Sequence, residues 1–144
     1  ESKCTEFLGS KKAEFVPRYE SVVETILDRP WFETYQALKN EPALYRFLDA
    51  AQLVKHCLGL RKTFPDKDVT LVYVFWEPES ASELDIFKSH RTEMIRFAES
   101  VAGSEVKFSG FSYLELWNDW TRIEAPPWLM KHVAALRTRY QVNV

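Results

Sequence analysis

Glutamate and lysine stand two positions apart at Glu1-Ser2-Lys3 and again at Glu105-Val106-Lys107. Side chains alternate between the faces of a β-strand, so either copy would put a carboxylate and an ammonium on one side of a sheet. Such a pair is half of a metal-dependent hydrolytic site. The carboxylate can hold Mg2+ (or Mn2+), and the lysine can work beside the water that the ion activates. A further carboxylate from a neighbouring strand is needed to complete the site, so the surroundings of each copy decide between them. Glu105 follows a long helical pattern and precedes a short one, which leaves no adjacent hairpin strand to deliver that acid. Glu1 is followed by helical segments and then by the most apolar strand in the chain. The first copy is therefore the candidate site, and Glu105 and Lys107 read as ordinary charges at a strand end.

The elements that would position Glu1 and Lys3 begin with a strand over residues 1–8, ended by Gly9-Ser10-Lys11-Lys12. Two short helices are expected over Tyr19 to Leu27 and Trp31 to Leu38, with Pro30 breaking the pattern between them. A longer helix is expected from Asn40 to about Leu58, stopped by Gly59. Its apolar stripe is Leu44, Phe47, Leu48, Ala51, Val54 and Leu58, with Lys55 projecting inside the stripe, Gln52 at its edge and His56 beside it. Val69 to Trp76 is continuously β-branched, aliphatic or aromatic, as expected of a strand buried on both faces. The acidic loop Glu77-Pro78-Glu79 reads as solvated. Ser80 and Glu83 suggest a capping box for a helix reaching Ala102 and ended by Gly103. A strand over residues 106–111 completes a right-handed, parallel βαβ unit. Ser112 and Glu115 then cap a short helix through Trp120. The last helix, Trp128 to Gln141, carries the stripe Leu129, Val133, Leu136 and Tyr140, and its Lys131, Arg137 and Arg139 read as a solvated face.

Composition limits what such a chain can be. Its 144 residues, 46% of them hydrophobic and 15% aromatic, suffice for one domain with one core and exclude a disordered chain. A formal charge of -2 excludes a polybasic nucleic-acid binder, so DNA contact would have to come from a local basic set: Lys11, Lys12, Lys55, Arg61 and Lys62, with His56 weaker. Cys4 and Cys57 make neither a disulfide framework nor a metal site, which fits free thiols in a reducing cytoplasm. No apolar run approaches a membrane span, so no membrane association is expected. No glycine-rich phosphate loop follows the central strand, which argues against a small-molecule enzyme of doubly wound type. Five Trp and ten Phe exceed what a core of this size needs, and exposed aromatics would then mark a partner or homodimer surface.

Several runs together resemble a bacterial, mostly uncharacterised family of restriction-endonuclease-like proteins of the PD-(D/E)xK nuclease superfamily. They are residues 1–6 (Glu-Ser-Lys-Cys-Thr-Glu), residues 50–60 around Gln52, Lys55 and His56, residues 71–76, His90-Arg91-Thr92-Glu93, and residues 112–117. The resemblance covers nearly the whole chain. It implies an α/β fold with a restriction-endonuclease-like core, a small mixed sheet with strands near 1–8, 69–76 and 106–111, and helices on both sides. It implies Mg2+-dependent (or Mn2+-dependent) hydrolysis of DNA, with Glu1 as metal ligand and Lys3 as the lysine that polarises the attacking water. Gln52 and Lys55 match helix positions that would orient Lys3 or the scissile phosphate. The Asp-bearing strand that precedes the Glu-x-Lys strand in that superfamily is not in residues 1–144, so the expectation is a domain truncated on its N-terminal side. The alternative is a catalytically incomplete nuclease-like fold kept as a binding or assembly module.

Overall fold

The structure is a computed structural model that describes residues 2–3, 9–122 and 124–143, the first two by their backbone alone. A strand β1 (Ser2–Lys3) is followed by α1 (Glu20–Ile26), α2 (Arg29–Asn40), α3 (Ala50–Thr63), β2 (Val69–Phe75), α4 (Asp85–Ser100), β3 (Val106–Ser112), α5 (Tyr113–Arg122) and α6 (Pro127–Tyr140). Short 3-10 turns at Pro17–Tyr19 and Glu79–Glu83 lead into α1 and α4. The sheet order is β1-β2-β3, and both pairings are parallel, Lys3 lying opposite Phe75 and Val69 opposite Val106. The chain is thus α/β, a small sheet flanked by helices, with β2-α4-β3 forming the anticipated parallel unit. Glu1 and residues 4–8 of the expected first strand lie outside the described residues.

The core sits on one face of β2. Leu71, Tyr73 and Phe75 are fully buried, while Val72 and Val74 between them are half-buried, so the expectation of burial on both faces holds for one face only. A single cluster joins those three to Val23 and Leu27 of the α1 region, Trp31, Tyr35 and Leu38 of α2, Leu53, Val54 and Cys57 of α3, and Phe87, Met94 and Phe97 of α4. Trp31 is its anchor: the indole is wholly buried, donates to the Val106 carbonyl at 3.0 Å and to Ser104 Oγ at 3.1 Å, and meets Phe97 edge-on. Gly110 of β3 lets α4 approach closely, since a Cβ there would come within 2.6 Å of Met94 Sδ.

Four helix boundaries differ from expectation. Pro30 does not break a helix but opens α2, where its missing N–H falls in the first turn and costs nothing. The segment from Glu41 to Asp49 is not helical, because its backbone is claimed from elsewhere. The Glu93 carboxylate of α4 accepts the N–H groups of Arg46, Phe47 and Leu48, each at 2.8 Å, and Pro42 and Arg46 carbonyls accept from Ala13 and Lys11 at 2.7 Å. α3 starts only where Asp49 caps it, accepting from the Gln52 N–H at 3.0 Å. It then runs through Gly59 to Thr63, and the buried side of Cys57 and Leu58 outweighs the roughly 1 kcal/mol that a helical glycine costs. Ser80 and Glu83 form a 3-10 turn rather than a capping box, and α4 begins at Asp85. The other expected box is present: Glu115 Oε2 accepts from the Ser112 N–H at 2.6 Å, and Ser112 Oγ accepts from the Glu115 N–H at 3.2 Å.

Candidate functional site

The Glu-x-Lys stretch enters the structure through its backbone. Ser2 pairs with Val74 and Lys3 with Phe75, which fixes β1 beside the carboxyl-terminal end of β2. Between these strands in the chain stands α3, whose residues 52, 55 and 56 follow one another at the spacing of one helix side. Gln52 and Lys55 are half-buried and His56 is exposed. Lys55 Nζ lies 5.5 Å from the centre of the Phe15 ring, so its ammonium is held by an aromatic face instead of extending freely into water. Lys11 and Lys12 flank a narrow crevice with Asp49, Ala50 and Ala51 at the amino-terminal end of α3. Arg61 and Lys62 stand at the opposite end of that helix, about 16 Å away at 1.5 Å per residue. Arg61 is also ion-paired to Glu105 and donates to the Pro65 carbonyl at 2.9 Å. The structure therefore groups Lys11, Lys12 and the Gln52 end of α3, and separates Arg61 and Lys62 from them.

The second Glu-x-Lys is engaged structurally. Besides its pair with Arg61, Glu105 donates its N–H to Asp28 Oδ2 at 2.6 Å, and Lys107 Nζ lies 3.8 Å from Asp68.

A charged cluster closes the ends of β2 and β3. Glu77, two residues beyond Phe75, is 4% exposed and not solvated as expected, although its neighbour Glu79 is exposed. Its carboxylate takes Arg91 in a fork, with Nε 2.8 Å from Oε1 and Nη2 against Oε2. Arg91 Nη1 reaches Glu115 Oε1 at 3.0 Å. Burial raises the Glu77 carboxyl above its ordinary range, against the opposing pull of Arg91. Burial would raise Glu115 as well, but hydrogen bonds from Ser112 and Arg91 outweigh it and its carboxyl is lowered. Next to Arg91, His90 is fully buried with Nε2 2.8 Å from the Tyr73 hydroxyl, and burial, reinforced by Arg91, lowers its imidazole to about 4. One guanidinium thus serves two carboxylates and ties β2, α4 and α5 together, which leaves neither acid free for a cation. Among the described residues no group of three His, Cys, Asp or Glu could hold a metal ion. Cys57 is no nucleophile either, since burial pushes its thiol up to about 12.

The family described as restriction endonuclease associating with ARP matches residues 1–141. The chain belongs to that family. A comparison with curated proteins and one with solved structures give no match. The family's span takes in all the runs on which the restriction-endonuclease resemblance rests, from Glu1 to Trp117. In this family member, Glu77, Arg91, Glu93 and Glu115 are buried or bonded groups, of which the sequence anticipated only the capping role of Glu115. An available signal was an acid placed directly after the most apolar strand, where solvation is hard to arrange. Glu93 carried none, because its partners are backbone amides more than forty residues away. No helix among the described residues is long and apolar enough to cross a membrane.

Proposed function

We propose that the chain is the core of a PD-(D/E)xK nuclease that hydrolyses phosphodiester bonds of DNA with Mg2+ or Mn2+. The observation that supports this reading is the parallel pairing of Ser2–Lys3 with Val74–Phe75 in a member of the family described as restriction endonuclease associating with ARP. Glu1, with a second carboxylate of the kind the superfamily uses, would hold the ion, which when bound lowers the pKa of its water. Lys3 stabilises the attacking hydroxide or the charge that grows on the phosphate oxygens. Gln52 and Lys55 orient Lys3 or the scissile phosphate from α3. Lys11 and Lys12 contact the strand backbone, and His56, Arg61 and Lys62 add weaker contacts. Incubation of the full protein with DNA and Mg2+ or Mn2+ tests the assignment. Glu1→Ala and Lys3→Ala should each lower cleavage at least a hundredfold, and equal cleavage by wild type and both variants would overturn it.

A second reading, a nuclease-like module that binds or assembles without turnover, is favoured by one surface feature. Trp128 and Met130 on α6 are 68% and 44% exposed, more apolar surface than a helix of an isolated domain ordinarily presents. Wild-type protein that forms a stable complex or homodimer in sedimentation, yet cleaves no DNA with either ion, would favour this reading over hydrolysis.

A further inference from the structure

The hydrolytic reading leaves the C-terminal helices without a task, although they enclose a cavity. Trp76, α5 and α6 surround about 450 Å3, lined by Trp76, Tyr113, Trp117, Trp120, His132 and Tyr140 among others. Helical spacing produces this lining. Tyr113, Trp117 and Trp120 follow at four and three residues on α5, and His132, Leu136 and Tyr140 at four and four on α6. The Tyr113 and Trp117 rings lie 29° from parallel with centroids 5.8 Å apart, and because Trp117 is itself buried the open ring faces are those of Tyr113 and Trp120. Trp76 is fixed in place, its Nε1 donating to the Tyr140 carbonyl at 2.8 Å. No Asp, Glu, Lys or Arg lines the cavity. A core of the same residues would close on itself at native packing density. An opening walled by ring faces instead accepts a planar ring, because stacking is what such faces offer.

Charge around the opening indicates what that ring is attached to. Residues 125–144 contain Lys131, Arg137 and Arg139 and neither Asp nor Glu, in a chain whose net charge is -2. Lys131 and Arg139 adjoin the lining residues His132 and Tyr140, and the Arg139 guanidinium sits 5.2 Å from the centre of the Tyr140 ring. Among the described residues Arg137 donates to neutral amides, Asn118 Oδ1 at 2.6 Å and Gln141 Oε1 at 3.3 Å, which leave its charge in place. Of two nearby acids, Asp119 pairs with Arg122 at 3.3 Å, whereas Glu79, which accepts from the neutral Gln141 amide at 2.5 Å, keeps its charge. Ring faces beside uncompensated cations are the combination that single-stranded nucleic acids require, bases stacking while phosphates meet positive charge.

We propose that this cavity binds an unpaired base of single-stranded DNA, stacked against Tyr113 and Trp120, with the adjoining phosphates on Lys131, Arg137 and Arg139. The proposal deepens the nuclease reading and rests on it for the choice of DNA. An apolar peptide could enter the same opening but would leave the three cations unmatched, and a second copy of the chain is an outcome that the test below separates.

The full protein, held in EDTA to prevent turnover, is titrated by fluorescence anisotropy with a labelled oligo(dT) and with an abasic backbone of equal length and charge. The base-bearing strand should bind about tenfold or more tightly than the abasic one, since a stacked base contributes that much on aromatic platforms. Trp120→Ala should bring the two affinities together. Trp120→Leu keeps apolar volume, so the helices stay packed, and it should do the same because the stacking face is gone. Replacing Lys131 and Arg139 with Gln should weaken both oligonucleotides alike and flatten their salt dependence. Equal affinity of wild type for the two strands overturns the proposal, as does a preference that survives both Trp120 variants. A dimer broken by Trp120→Leu, without any base preference, overturns it in favour of self-association. Glu1→Ala leaves the cavity intact, so the two readings separate: lost cleavage with retained base preference touches hydrolysis alone, and lost base preference with normal cleavage touches the cavity alone.

Discussion

The two halves of the molecule put their aromatic residues to different uses. Around β2 and α4, aromatic rings close on one another: Trp31 meets Phe97, Phe97 meets Phe108 and Tyr45, and Phe75 meets His90, all edge to face with centroids between 4.7 and 5.8 Å. Between α5 and α6 the rings stand around an opening. Only Trp117 and Val133 of those two helices are fully buried, and neither belongs to the main cluster. The difference teaches that ring content alone does not mark a core. The α4 side buries its rings against one another, whereas the rings of the α5–α6 side line a cavity.

The contrast is tested first at Trp31. Trp31→Ala would remove a wholly buried indole and leave the Val106 carbonyl without that donor, so the expected loss is about 3–5 kcal/mol, seen as a lower urea midpoint. A loss below about 1 kcal/mol would mean that the α4 side is packed no better than the cavity. Next in size is a pH effect at His90. Burial holds its imidazole at about 4, below the ordinary 6.5, so between those values the unfolded chain takes up a proton that the folded chain refuses. The stability is complete above pH 6.5 and drains as pH falls toward 4, by on the order of 3 kcal/mol. Glu77 acts in the opposite direction, because its raised carboxyl favours the folded state as pH falls through its own range. Thermal melts of wild type and His90→Gln across pH 7.5 to 4 isolate the histidine, and parallel profiles would remove its contribution.

How far the sequence carried differs between those regions too. The strands β2 and β3, the helix between them, the Ser112–Glu115 box and α6 were legible because local periodicity and capping chemistry decide them. The stretch from Glu41 to Asp49 was not, since its helix-like stripe of Leu44, Phe47 and Leu48 is overruled by a carboxylate on α4 that captures three consecutive amides. Lys55 was legible as an unusual position, but its seat over Phe15 depends on the fold of residues 9–16. The α6 cations read as a solvated face, and Lys131 and Arg139 are exposed. The cavity beside them was not legible, because it needs the rings of α5, α6 and Trp76 to converge, which no periodicity in either helix discloses.

The smallest expected effect bears most directly on the contrast. Leu136 is half-buried and lines the cavity, while Leu53 of α3 is 1% exposed inside the main cluster. Truncation costs the transfer of the lost carbons plus the void they leave, and at Leu136 a void already exists, with fewer contacts to forfeit. Leu53→Ala should therefore cost about 2–5 kcal/mol and Leu136→Ala less than about 1 kcal/mol, compared by denaturant midpoints at equal slope. Similar costs would show that α5 and α6 pack as tightly as the core, and the cavity would then be too well filled to admit a base. A small cost at Leu136 accompanied by altered oligo(dT) affinity would place that side chain where ligand, and not protein, completes the packing.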